Sequence, residues 1–350
     1  MKLDELAKRT GEWMRGEGPE SDIVMSSRVR LARNLADFPF IRKCTSKDRQ
    51  AIATMVERAW QRLECASESE YVDVAKIGDL DRQFLMERQL ISHELIDAEG
   101  ARGVLLDRQE RYSIMVNEED HLRLQVMRSG LDLEEGWAKM TQLDDMLERE
   151  LKFAYTKRFG YLTACPTNVG TGLRLSVMLH LPGLVATKQM EKVFRAMSKI
   201  NVVVRGLFGE GSQFMGDFYQ VSNQTTLGKT EVELIQKVKE VVPRLIEYER
   251  KAREHLLAED RDALNDMVGR AVGILKTAKK ISSEETMHYL SKVRLGVNVG
   301  LIDDVQIATV NQLFLQTQPA HLQKLRGLMS NASARNTERA NYLHQFLDPA

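Results

Sequence analysis

The chain has 350 residues, enough for a sizeable core and about two domains, and 43% hydrophobic against 29% charged residues exclude a disordered tail or a low-complexity linker. Lys plus Arg and Asp plus Glu each number 50, so the net charge is zero and the electrostatic footprint of a general nucleic-acid binder is missing. Three cysteines without a CxxC pair argue against a disulfide framework or a cysteine zinc site; with no signal-peptide pattern and no apolar run of about 18 residues, a reduced cytoplasmic protein that does not enter a membrane is expected.

The first predicted element is a strand in SSRVRLA, 26–32, where Val29 and Leu31 oppose Arg28 and Arg30. Two apart on a strand, those arginines leave one face about 6.6 to 6.8 Å apart. That spacing suits a polyphosphate, or a solvated face paired with carboxylates. Arginine suits phosphate because its planar fork binds two oxygens and keeps its charge. Residues 47–67 and 83–96 have helical periodicity, whereas RYSIMVN at 111–117 and HLRLQVM at 121–127 alternate as strands, the latter with Arg123 opposite Leu122, Leu124 and Val126. Between them Asn117, Glu118, Glu119 and Asp120 gather carboxylates where the chain turns, suited to binding magnesium, to general-base work or to capping a helix.

After a helical stretch at 140–157, Cys165 precedes Pro166 and a polar turn; it reads as a thiolate or as an inert structural thiol. LRLSVMLHL, 173–181, is a strand with one buried side, Leu173, Leu175 and Val177 facing in and Arg174 facing out. INVVVRGLF, 200–208, is a further predicted strand and carries Arg205, and Glu210 follows between Gly209 and Gly211. From Thr230 the pattern is helical, with starts signalled by Thr230 with Glu233, Ser282 with Glu285, Asp304 and Pro319. Gly228, Lys229 and Thr230 mimic the end of a phosphate-binding loop, but position 223 is Asn223 where that loop needs glycine, so the segment reads as a helix start. No histidines pair at metal-ligand spacing and no metal-ligating residue is assigned. The fold class is α+β for the first two-thirds, followed by an all-helical module.

SSRVRLARN at 26–34, NEEDHLR at 117–123, CPTNVGTGLR at 165–174 and RGLFGEGS at 205–212 together resemble the phosphagen (guanidino) kinases, and the helical remainder resembles the branch acting on arginine in proteins. The resemblance implies an antiparallel sheet flanked by helices over 1–255 and a helical dimerisation and recognition domain over 256–350. It implies MgATP held by Arg28, Arg30, Arg123, Arg174 and Arg205, with Glu119 and Glu210 gripping the acceptor guanidinium. Free guanidinium stays protonated at any working pH and must lose a proton to attack phosphorus. Glu119 is the expected base, Glu210 closes over the site, and Cys165 positions substrate without covalent attack. Magnesium is expected on the nucleotide phosphates and water.

Small-molecule members place a helical domain before the arginine-bearing strand, whereas Arg28 lies near the start of this sequence, so an open acceptor side and protein substrates with exposed arginine are expected. The resemblance further implies a homodimer, an adaptor or activator protein, and marking of proteins for a Clp chaperone-protease in stress. The competing activities are a free-arginine phosphagen kinase and a silent phosphoarginine-binding adaptor. The branch's RDxxRA motif appears here as Arg335, Asn336, Thr337, Glu338, Arg339 and Ala340, so Arg335 and Arg339 either bind a phosphoryl group or form a solvated charged face.

Overall fold

A computed structural model describes residues 3–206, 215–329 and 331–347. In chain order its strands are β1 (Val24–Arg33), β2 (Ser69–Asp73), β3 (Gly103–Asp107), β4 (Tyr112–Val116), β5 (Leu122–Ser129), β6 (Tyr155–Thr156), β7 (Gly160–Tyr161), β8 (Leu173–His180), β9 (Val202–Arg205) and β10 (Phe218–Asn223). Among the described residues eight of them form one sheet, ordered β2-β3-β4-β5-β1-β8-β10-β9, with antiparallel neighbours throughout. β6 and β7 form a separate hairpin. The α+β class and the antiparallel sheet flanked by helices are as expected.

One face of the sheet is aliphatic. Val29, Leu31, Leu124, Val126, Leu175 and Val177 pack against Val56 of the helix Ser46–Gln61, Leu143 of Leu133–Glu150 and Val242 of Glu231–Glu259. Alternation along each strand supplies this face, and removing it from water drives the layer together. The opposite face has two territories. At one end Met127, Met178 and Phe218 lie under Phe84, Leu290 and Phe314; Phe218 meets Phe314 edge-on with centroids 4.8 Å apart. At the other end stand the arginines.

This second cover corrects the expectation that 173–181 has one buried side: Ser176 and His180 are as buried as Leu175. Polar did not mean solvated, because His180 is hydrogen-bonded from above, Nε2 to Ser291 Oγ at 2.8 Å and Nδ1 to Arg294 Nη1 at 2.9 Å. The expected helix over 83–96 is two helices, Asp79–Glu87 and His93–Asp97, parted where Gln89 takes φ 62°. The helix expected at 140–157 begins earlier, at Leu133, and ends at Glu150 where Leu151 is extended. β2, β3, β6, β7 and β10 are additional to the predicted strands. The capping boxes at Thr230 and Ser282 form, and Pro319 opens its helix, but Gln306 rather than Asp304 caps Ile307–Gln316. The helix Glu231–Glu259 runs through the expected division at 255/256. Among the described residues no helix is long and apolar enough to cross a membrane.

Candidate active site

Strand register assembles the arginines. Arg30 of β1 stands opposite Arg174 of β8 and Gln125 of β5, while Arg123 of β5 stands opposite Ala32. Directly opposed residues of an antiparallel pair share a face, so Arg28, Arg30, Arg123 and Arg174 do. Arg205 pairs with Gln220, Gln220 with Met178, and Met178 with Ser26, which carries the same face out to β9. All five expected arginines therefore stand on one surface, drawn from four strands that lie far apart in sequence.

That arrangement is electrostatically costly without a partner anion. Burial pulls Arg28 down to about 10. Burial also lowers Arg30 well below its ordinary value, with Arg28, Arg123 and Arg205 repelling its charge and Glu118 favouring it. Arg28 Nη1 donates to Gln89 Oε1 at 3.0 Å. Arg30 Nε and Arg174 Nε are buried with no hydrogen-bond partner among the described residues. Stranded donors on a crowded cationic face are what a polyphosphate satisfies, so the residues present fit a nucleoside triphosphate.

The carboxylates lie on the turn joining β4 to β5, which closes when Asn117 N–H donates to His121 O at 3.0 Å. Asn117 takes φ 60°, a conformation asparagine tolerates, and its amide donates to the carbonyls of Arg49 and Ala101 at 2.8 Å each. Glu118 accepts from Arg123 Nε at 2.8 Å, Ser92 Oγ at 2.5 Å and Glu119 N–H at 2.9 Å. Burial raises its pKa while those partners oppose the rise. Arg123 also pairs with Glu119 and, at 3.4 Å, with Asp120. Burial works against the Arg123 charge, but the three carboxylates outweigh it and raise its pKa. The side chains of Glu118 and Asp120 are 0% exposed and that of Glu119 is 32% exposed, so of the three Glu119 is the one a ligand can reach.

Asp120 joins this turn to the Cys165 segment, accepting from Asn34 Nδ2 at 2.7 Å and from Ala164 N–H at 2.8 Å. Cys165, next in the chain, is partly buried, with Sγ 3.0 Å from Thr167 Oγ1. Glu210 lies outside the described residues. Arg335 and Arg339 are not equivalent. Arg339 is buried, donating Nε to Thr317 O at 2.7 Å and Nη1 to Ile281 O at 3.0 Å and Asn336 Oδ1 at 2.7 Å. Asn336 thus accepts from the arginine three residues on, and Arg335 alone of the pair lines a cleft of about 620 Å³ beside Glu87 and His93. Sequence reasoning passed over Gln89, Asn34 and Ser92. Asn34 closes the SSRVRLARN segment and was within reach of motif reading, but Gln89 and Ser92 meet the site only through the fold.

The arginine face and the acid turn define a phosphotransferase for which nitrogen of a guanidine is a fitting acceptor. The family description "ATP:guanido phosphotransferase, C-terminal catalytic domain" matches residues 51–252, and "Protein-arginine kinase McsB C-terminal domain" matches residues 261–350. The chain is 46% identical over 344 residues to a "Protein-arginine kinase" of Symbiobacterium thermophilum, covering 97% of this chain and 98% of that one. It is 44% identical over 345 residues to a "Protein-arginine kinase" of Halothermothrix orenii, covering 99% of each. Among solved structures it resembles the duplicated taurocyamine kinase of Schistosoma mansoni, with TM-score 0.62 and 26% identity over 67% of this chain and 34% of that one. It also resembles a lombricine kinase, with TM-score 0.59 and 25% identity over 70% of each chain. The chain spans about a third of the taurocyamine kinase. It belongs to the ATP:guanido phosphotransferase family, as its four ordered motifs implied, and is a phosphotransferase.

Proposed function

We propose that this chain transfers the γ-phosphoryl group of ATP to the guanidinium of arginine residues in proteins. The observation that carries the chemistry is the convergence of Arg28, Arg30, Arg123, Arg174 and Arg205 on one face, with the Nε donors of Arg30 and Arg174 left without acceptors among the described residues. Full-length likeness to two protein-arginine kinases, including the helical remainder, supports the acceptor class.

The arginines bind and align the triphosphate and neutralise charge on the transferring oxygens, which is most of what phosphoryl transfer needs from a protein. Magnesium, carried by the nucleotide phosphates, supplies further neutralisation there. Glu119 accepts the proton of the attacking guanidine nitrogen; an N–P bond forms as the bond from phosphorus to the ADP oxygen breaks. Arg123, paired with Glu119, ties this base to the phosphate-binding face. Asp120 sets Cys165 beside the same turn, where the thiol positions the acceptor. In this reading the product marks proteins for a Clp chaperone-protease with an adaptor engaged.

Phosphosite mapping on a mixed, partly unfolded protein substrate with MgATP tests activity and acceptor together. Acid-labile phosphoarginine is expected, and Glu119→Gln forms it about 10²–10⁴-fold more slowly. Phosphate on free arginine alone replaces the reading with a phosphagen kinase, and nucleotide binding without turnover replaces it with a silent adaptor.

A further inference from the structure

Gln89 follows the helix Asp79–Glu87 and holds φ 62°, a left-handed conformation that glycine adopts without the steric cost a side chain brings. Its side chain has a specific use. Oε1 accepts from Arg28 Nη1 at 3.0 Å, and Gln125, which faces Arg30 across the strand pair, donates Nε2 to the Gln89 carbonyl at 2.6 Å. The turn is thereby pinned to the arginine face at both its backbone and its side chain.

The two preceding residues fasten it on the other side. Glu87 accepts from Ala320 N–H at 2.8 Å and His321 N–H at 2.9 Å, capping the helix Pro319–Arg326, and lies 3.0 Å from His321 Nδ1. Arg88 pairs with Glu110 at 2.6 Å and reaches His321 Nε2 at 3.0 Å, all three side chains being buried. Gln89 also lines two small cavities, one shared with Arg28 and Ser176 and the other with Glu87 and Gln318. Three consecutive residues thus bridge the helical region and a phosphate-facing arginine.

We propose that Gln89 is a positioning residue of the nucleotide site: it sets Arg28 from a turn that Glu87 clamps to the helix Pro319–Arg326, so that changes at this helix are read as changes in nucleotide affinity. The proposal rests on Arg28 being a phosphate ligand. Gln89→Gly keeps the left-handed turn and deletes the acceptor. In the full chain it is expected to raise the MgADP Kd by calorimetry, and the KM for ATP, about 10-fold, the share of one hydrogen bond to a charged group. The kcat stays within about twofold, and melting is not impaired because the backbone is relieved. Gln89→Glu, which restores an acceptor at the same reach, is expected to return Kd to within about threefold of the parent. Glu87→Ala is expected to weaken MgADP in the same direction; an unchanged Kd there overturns the clamp. If Gln89→Gly binds MgADP like the parent while Arg28→Ala does not, Gln89 has no positioning role. If Arg28→Ala also binds normally, the phosphate reading of Arg28 falls instead.

Discussion

Replacing Asp120 with alanine removes a carboxylate with no exposed surface that joins three segments of the chain. It accepts from Asn34 Nδ2 at 2.7 Å, from Ala164 N–H at 2.8 Å and weakly from Arg123 at 3.4 Å. Asn34 Nδ2 keeps a second acceptor, Leu162 O at 3.0 Å, so the Ala164 N–H is the donor that loses its described partner. A stranded buried donor costs about 1–3 kcal/mol, and loss of a charge-assisted bond to Asn34 brings the total to about 3 kcal/mol. The loss is local, at the residue before Cys165. Two measurements follow: denaturant unfolding, expected to show about 3 kcal/mol less stability, and peptide-resolved alkylation, expected to show faster labelling of Cys165 with Cys44 and Cys65 unchanged. Asp120→Asn keeps one oxygen and falls between. An Asp120→Ala protein within about 1 kcal/mol of the parent, with Cys165 labelled at the parent's rate, refutes the claim that Asp120 holds this segment against the acid turn.

Glu118→Gln and Glu119→Gln are expected to separate stability from turnover. The first breaks a buried pair with Arg123 and loses about 3 kcal/mol or more, measured by unfolding, whereas the second folds normally and loses about 10²–10⁴-fold in phosphotransfer rate at unchanged nucleotide Kd. Arg33 is 2% exposed and grips Asp144 through Nε at 3.0 Å and Nη2 at 2.6 Å, its guanidinium 3.5 Å over the Tyr161 ring. Asp144→Ala strands that cation and is expected to cost about 3–5 kcal/mol, read by denaturation. Burial pushes Glu87 up from 4.5 to about 7, opposed by the Ala320 and His321 N–H groups and Arg339. The folded protein then holds one more proton than the unfolded chain between those values. The stability of the parent relative to Glu87→Gln is therefore greatest below pH 4.5 and declines as pH rises through 7, by up to about 3 kcal/mol. Paired melts at pH 5 and pH 8 check the sign, and a difference that grows with pH contradicts it.

Much of the molecule was legible from local pattern. The alternation of Val29 and Leu31 with Arg28 and Arg30, and of Leu124 and Val126 with Arg123, named the central strands and their aliphatic face, because side chains on a strand alternate with period two. Capping pairs at Thr230 and Ser282 named helix starts because both partners sit within one turn. Motif order along the chain carried the family. The strand 173–181 reads as having one buried side where Ser176 and His180 are buried too, since alternation reports which residues are apolar and not what covers the others. The single helix expected over 83–96 hid the turn at Gln89, since no local signal there marks a left-handed residue.

Candidate residues by type therefore came from the sequence: arginines suited to phosphate, carboxylates gathered at a turn, and a helical module behind them, with the guanidine acceptor implied by the family resemblance. Only the tertiary structure decided that Arg30 stands opposite Arg174, that Glu119 rather than Glu118 or Asp120 is open to a ligand, and that Arg339 is a buried strut while Arg335 faces a cleft. Those outcomes depend on strand register and on which backbone groups sit near a side chain, and both are properties of contacts between segments far apart in the chain.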